Sequence, residues 1–187
     1  MSDSPRIAPG DVRAIGPLAW VISWGAGRVG GTNPPNLFLT LGRNRRLFRG
    51  WLRFAGRLMP GGTLPRRETE IVILRVAHLR ACDYEFSHHV KLSRRAGVND
   101  DDVRRITEGA GAPGWSPREH AILAAVDALH TDQDIDDGTW EALRGHLSEG
   151  EAIELCLLVG HYEMLATTIA TLRIESDHAR SRRSARA

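Results

Sequence analysis

Three observations predict an all-α fold for this chain of 187 residues. Apolar residues recur at helical spacing through most of its length, helix-opening words precede those stretches, and glycine or proline closes several of them. Strand alternation is nowhere sustained. Ile71-Val72-Ile73-Leu74 would fit a buried strand, but its flanks carry the helical pattern. Apolar residues make up 42% of the chain, enough for one compact core at this length.

Residues 1–35 read as a partly helical arm, because Gly25, Gly27, Gly30, Gly31, Pro34 and Pro35 interrupt any long element. The apolar patch from Leu18 to Trp24 is expected to form one or two helical turns, packed on the body or across a subunit contact. Leu37, Leu39, Leu41, Leu47, Phe48, Trp51, Leu52, Phe54 and Leu58 predict one helix from Asn36 to Met59, stopped by Pro60-Gly61-Gly62. Pro65 with Glu68 and Glu70 opens the next helix, to about Arg80. Another starts at Cys82 or Asp83 and ends before Gly97. Asn99-Asp100-Asp101-Asp102 starts a short helix through Ile106. Ser116-Pro117-Arg118-Glu119 is a capping box opening a helix to about His130. Thr139 to His146 and a long segment from Ser148 complete the set, a domain spanning residues 36–175. Residues 176–187, Arg/Ser-rich and without large apolar side chains, are expected to be a disordered tail. Tyr84-Glu85 and Tyr162-Glu163 each close an apolar run, a faint sign of an internal repeat.

The net charge of +2 gives no reason to expect nucleic acid or an anionic membrane as partner. No apolar run is read as reaching the roughly 18–20 residues that span a bilayer, and the N-terminus has no secretory layout. Two cysteines, Cys82 and Cys156, do not make a disulfide scaffold, and a reduced cytoplasmic protein is expected. Neither CxxC nor HExxH occurs, and no metal or other cofactor is expected.

The chemistry-bearing spacing is Glu70, Cys82, Glu85 and His89, with Tyr84 inside the cluster. Residues three and four apart share a helix face, so Cys82, Glu85 and His89 are read as one stripe emerging from a core. A buried carboxylate one turn from an imidazole makes a general acid/base pair. Glu70 would orient His89, and Tyr84 would donate to a developing oxyanion. His89 is chosen over His88 by register with Glu85, His88 being read as a surface, subunit-contact or substrate-side residue. A rival reading makes Cys82 the actor, its thiol pKa lowered at a helix N-terminus and its sulfenic acid resolved by an external thiol.

The spacing Glu-x11-Cys-x2-X-x3-His, with Tyr before X, resembles the site of alkyl hydroperoxidase D and the carboxymuconolactone decarboxylase superfamily. Leu64 to Glu70, Arg94-Arg95-Ala96-Gly97-Val98 and Val159 to Leu165 strengthen the resemblance, which covers roughly residues 36–175. It implies an all-helical, cofactor-free protein assembled as a trimer or hexamer, with its site near subunit contacts; for this chain a homo-oligomer (dimer, trimer or hexamer) is expected. It implies that Glu70 is the site carboxylate, Cys82 the first cysteine of the peroxidase's CxxC, Tyr84 its tyrosine and His89 its histidine. Glu85 stands where the hydroperoxidase has its peroxide-attacking cysteine, so a dithiol cycle is impossible here. The expected function is cofactor-free acid/base chemistry of decarboxylase or lyase type on a small organic acid or lactone. The alternatives are peroxiredoxin-like reduction of hydroperoxides through Cys82 and a non-catalytic ligand-binding or scaffold role.

Overall fold

The structure, a computed structural model, describes residues 4–30 and 33–177, and among these every regular element is helical. The elements are α1 (Val12–Ile15), α2 (Pro17–Gly30), α3 (Asn36–Leu41), α4 (Arg45–Leu58), α5 (Arg66–Leu79), α6 (Asp83–Ser93), α7 (Asp100–Glu108), α8 (Pro117–Thr131), α9 (Asp137–Arg144) and α10 (Glu149–Leu172), with a 3₁₀ turn at Arg94–Ala96. The predicted all-α class holds.

Local chemistry places most boundaries. Asn99 accepts from the Asp102 amide while the Asp102 carboxylate accepts from the Asn99 amide, and Ser116 with Glu119 repeats this box at the start of α8. Gly97 closes the 3₁₀ turn after α6 at φ +82°, a conformation that favours glycine. Ser116→Ala is expected to cost about 1 kcal/mol, read as a lower urea midpoint at unchanged slope.

Four expectations are corrected by the structure. The single helix over 36–59 is two, because the chain turns at Gly42–Asn44 before Arg45. The apolar patch around Trp20 belongs to a fourteen-residue helix rather than one or two turns. In α10 the chain does have a helix long and apolar enough to cross a membrane by length and composition. Leu155, Leu158, Val159, Leu165 and Ala166 bury one side of it within the protein, which is how a core helix passes the same test. The Tyr-Glu echo marks no equivalent positions, since Tyr84 opens α6 whereas Tyr162 sits in the middle of α10.

The chain divides into two compact units. The first runs to Phe54 and takes up again at Thr167. Its core is Ile15, Ala19, Leu39 and Phe48, with the Phe38 ring edge-on to Phe48 and Trp51. Asp177 accepts the Asn36 amide at 2.7 Å, which orders the chain to that residue; the rest of the anticipated tail lies outside the described residues. The second unit, Ala55–Ala166, holds the candidate site. Its core joins α5, α7 and α8 through Ile71, Leu74, Val98, Ile106 and Leu123. Arg75, 8% exposed, fastens these helices: it grips Asp127 of α8 through two nitrogens and donates to the Ile106 and Thr107 carbonyls of α7.

Candidate active site

Helix α5 is buried from Glu68 to Ala77, so a carboxylate one turn inside its start is carried into the core. Glu70 is fully buried. Its Oε1 accepts from Arg66 Nη2 at 2.6 Å, one turn back on the same helix, and its Oε2 meets His89 Nδ1 at 2.8 Å. The link to α6 is a tight turn in which Cys82 N donates to the Ala77 carbonyl and Ala81 sits at φ +47°. It returns the chain as a hairpin and brings Glu85 and His89 against Glu70.

His89 is held on both sides. Beyond its bond to Glu70, its Nε2 pairs with Glu85 Oε2 at 3.5 Å and lies 3.4 Å from the Tyr162 hydroxyl. The Tyr162 ring stands edge-on to the imidazole, centroids 5.3 Å apart. Burial alone would discharge the ring, but the hydrogen bonds and charges of Glu70 and Glu85 outweigh it and lift the His89 pKa to about 9. At neutral pH the ring is therefore an imidazolium, donating through Nδ1 to Glu70 and presenting Nε2–H between Glu85 and Tyr162. Burial and the two carboxylates also hold the Tyr162 hydroxyl well above its usual pKa, so it stays protonated. Glu85 Oε1 is buried with no hydrogen-bond partner among the described residues.

The raised His89 pKa makes stability depend on pH. The folded chain keeps a proton that the unfolded chain releases above its ordinary 6.5, so this contribution is complete below that value and lost as pH rises through about 9. The loss should reach a few kcal/mol. Urea midpoints taken from about pH 6 to about pH 9.5 check it, and His89→Gln should flatten the slope.

The expected stripe of three is corrected at Cys82. This residue is the N-cap of α6 at φ −93°, ψ 82°, outside the helical repeat that aligns Glu85 with His89. Its thiol pKa is raised, not lowered. Burial is the largest cause, and the Glu85 and Asp83 charges add to it against the Glu85 and Tyr84 amides. Cys82 is buried, Cys156 is exposed on α10, and both are free thiols. Tyr84 and His88 form a stack of their own on the adjoining face of α6, ring centroids 5.0 Å apart. Thus Glu70, Glu85 and His89 are brought together, Cys82 stands at the edge of the group, and Tyr84 and His88 pair with each other.

Sequence reasoning gave Tyr162 little weight. It arrives from α10, 73 positions beyond His89, and in sequence it stood out only within the Val159–Leu165 segment and the Tyr-Glu word, as a residue that could line the same cavity. Its neighbour Glu163 pairs instead with His130, at 2.7 Å, and Arg80. Among the described residues no group of three His, Cys, Asp or Glu side chains is placed to hold a metal ion.

Residues 45–128 match the Carboxymuconolactone decarboxylase family. An uncharacterized peroxidase-related protein with an alkylhydroperoxidase AhpD core, from Ralstonia eutropha JMP134, superposes with a TM-score of 0.77 at 19% identity, over 91% of this chain and 92% of that one. Over residues 45–128 the chain is similar to the carboxymuconolactone decarboxylase family, and over most of its length it has the fold of this AhpD-core structure. The debrominase Bmp8 has the same fold, with a TM-score of 0.80 at 22% identity over 94% of both chains. A cysteine-to-alanine variant of Bmp8, solved in complex with 2,3,4-tribromopyrrole, gives 0.78 at 21% identity over 90% of both chains. No curated protein matches the chain in sequence. At such identities these superpositions speak to fold. A debrominase is among the proteins with this fold, and the site has to supply the chemistry.

Proposed function

We propose that this protein is a cofactor-free acid/base enzyme acting on a small organic acid or lactone by a decarboxylase- or lyase-type reaction. The observation that carries the reading is the clamped His89: an imidazolium between two buried carboxylates, one of which keeps an oxygen without a partner. Glu85 Oε1 is the base and removes a proton from the carbon next to a carbonyl. The electron pair moves onto the carbonyl oxygen as an enolate, which Tyr162 and His89 Nε2–H stabilise as donors. In decarboxylation the carbon–carboxylate bond breaks instead, carbon dioxide leaves, and the pair left on carbon is quenched by the His89 proton. Glu70 with Arg66 behind it holds the ring in place and favours its charged form. An apolar stripe of Ile153, Leu157 and Met164, each about half exposed or more on α10, supports including a homo-oligomer in this proposal.

The test is solvent deuterium exchange and carbon dioxide release over a panel of β-keto acids and carboxylated lactones. Brominated pyrroles join the panel because a debrominase shares the fold. Turnover of at least one compound that survives Cys82→Ser supports the reading. Turnover unchanged in both Glu85→Gln and His89→Gln sinks it, as does none on any compound.

A second reading places the chemistry at Cys82, as hydroperoxide reduction. One observation favours it: the thiol sits at the N-cap of α6, where the backbone amides of Tyr84 and Glu85 pull its pKa down. Its raised pKa opposes the reading, since the thiolate is the nucleophile. Peroxide consumption that vanishes in Cys82→Ser would establish it.

A further inference from the structure

The overall charge of +2 conceals a strong polarity along the chain. Between Asp11 and Glu68 there is no acidic residue, and there are ten arginines. Within the first unit, part of this stretch closes around a hollow of about 170 Å³ between α1–α2 and α4. Its floor and walls are apolar, from Ile15, Leu18, Ala19, Ile22, Phe48 and Leu52, and Arg45 and Arg49 complete its lining.

The two arginines differ in what they already do. Arg45 donates through Nε to the Ala14 carbonyl and through Nη2 to the Arg13 carbonyl at 2.7 Å, which caps the end of α1. It lies so close over Gly16, itself at φ +86°, that a β-carbon there would come within 3.2 Å of the guanidinium carbon. The guanidinium is thus pre-positioned by backbone, and among the described residues no carboxylate pairs with it. Arg49, one turn further along α4, has no hydrogen bond or ion pair among the described residues.

We infer that this hollow is a binding site for a small apolar carboxylate, distinct from the Glu70–His89 site. An apolar cavity of this size holds about one aromatic ring or an alkyl chain of similar volume. Two guanidinium groups at one wall, in a stretch with no acidic residue between Asp11 and Glu68, select an anionic head over a neutral or cationic one. The class is that of hexanoate or benzoate: an apolar body with a single carboxylate. Arg49 supplies the free charge and Arg45 the fixed one.

The experiment is calorimetric titration of the full chain with hexanoate, benzoate, 1-hexanol and hexylamine, followed by Arg49→Gln and the hollow-filling Ala19→Leu. Arg49 is exposed, so its variant keeps the fold and remains informative if Ala19→Leu does not fold. The carboxylates should bind saturably, and hexanol about tenfold or more weaker. Arg49→Gln should weaken the carboxylates by a similar factor, and Ala19→Leu should abolish both. Absence of saturable carboxylate binding, equal binding of hexanol, or indifference to Arg49→Gln would each overturn the inference. So would binding to phosphatidylglycerol vesicles with none of the free acids, because the ligand would then be a lipid surface.

Discussion

Glu70→Ala is expected to destabilise the folded chain by about 3 kcal/mol, the low end of what removing one partner of a buried ion pair costs. Both carboxylate oxygens are engaged, one by Arg66 and one by His89, and the side chain has no solvent exposure. Arg66 is part exposed and recovers water when its partner goes. His89 has no such recourse, so it sheds its proton, and this relief keeps the cost from climbing further. Two readouts distinguish the account from loss of packing alone. Urea unfolding should show the drop in stability, and the His89 pKa should fall well below its value of about 9 in the intact protein. Glu70→Gln, which keeps volume and one acceptor, should cost less but lower that pKa in the same direction.

Glu85→Gln is expected to reduce turnover by about 10²–10⁴-fold, the range for loss of a general base, with little loss of stability. The amide fills the same space, removes a buried charge and still offers His89 a carbonyl oxygen. His89→Gln should cost a comparable factor, and the double variant little more than either, because base and acid act as one unit. Additive losses would mean that the two groups work on separate steps.

Much of this site was legible in one dimension because two of its contacts are local. Glu85 and His89 are one turn apart, and the α5–α6 hairpin that adds Glu70 is short. A helical reading of 66–96 therefore sufficed to bring the three together. Cys82 was misread by one residue: it has the spacing of the stripe but is the cap before the helix begins, where φ and ψ leave the helical repeat. The thiol pKa went the wrong way for the same kind of reason. Proximity to a helix start is visible in sequence, whereas burial beside Glu85 is not. Tyr162 depends on how α10 packs, a long-range arrangement with no local signal. Elsewhere, the break at Gly42–Asn44 was hidden because apolar residues on both sides keep near-helical spacing through it. The arginine-rich, acid-free stretch disappeared into a whole-chain charge that averages it against the acidic remainder.

Site-resolved ¹⁵N NMR of His89 across pH tests the clamped imidazolium most directly. Both ring nitrogens should report protonation through neutral pH, with a single transition near 9 that moves down in Glu70→Gln and in Glu85→Gln. A transition at or below the ordinary 6.5 would mean that His89 is neutral when the protein works. The assignment of His89 as proton donor and Glu85 as base would then be wrong.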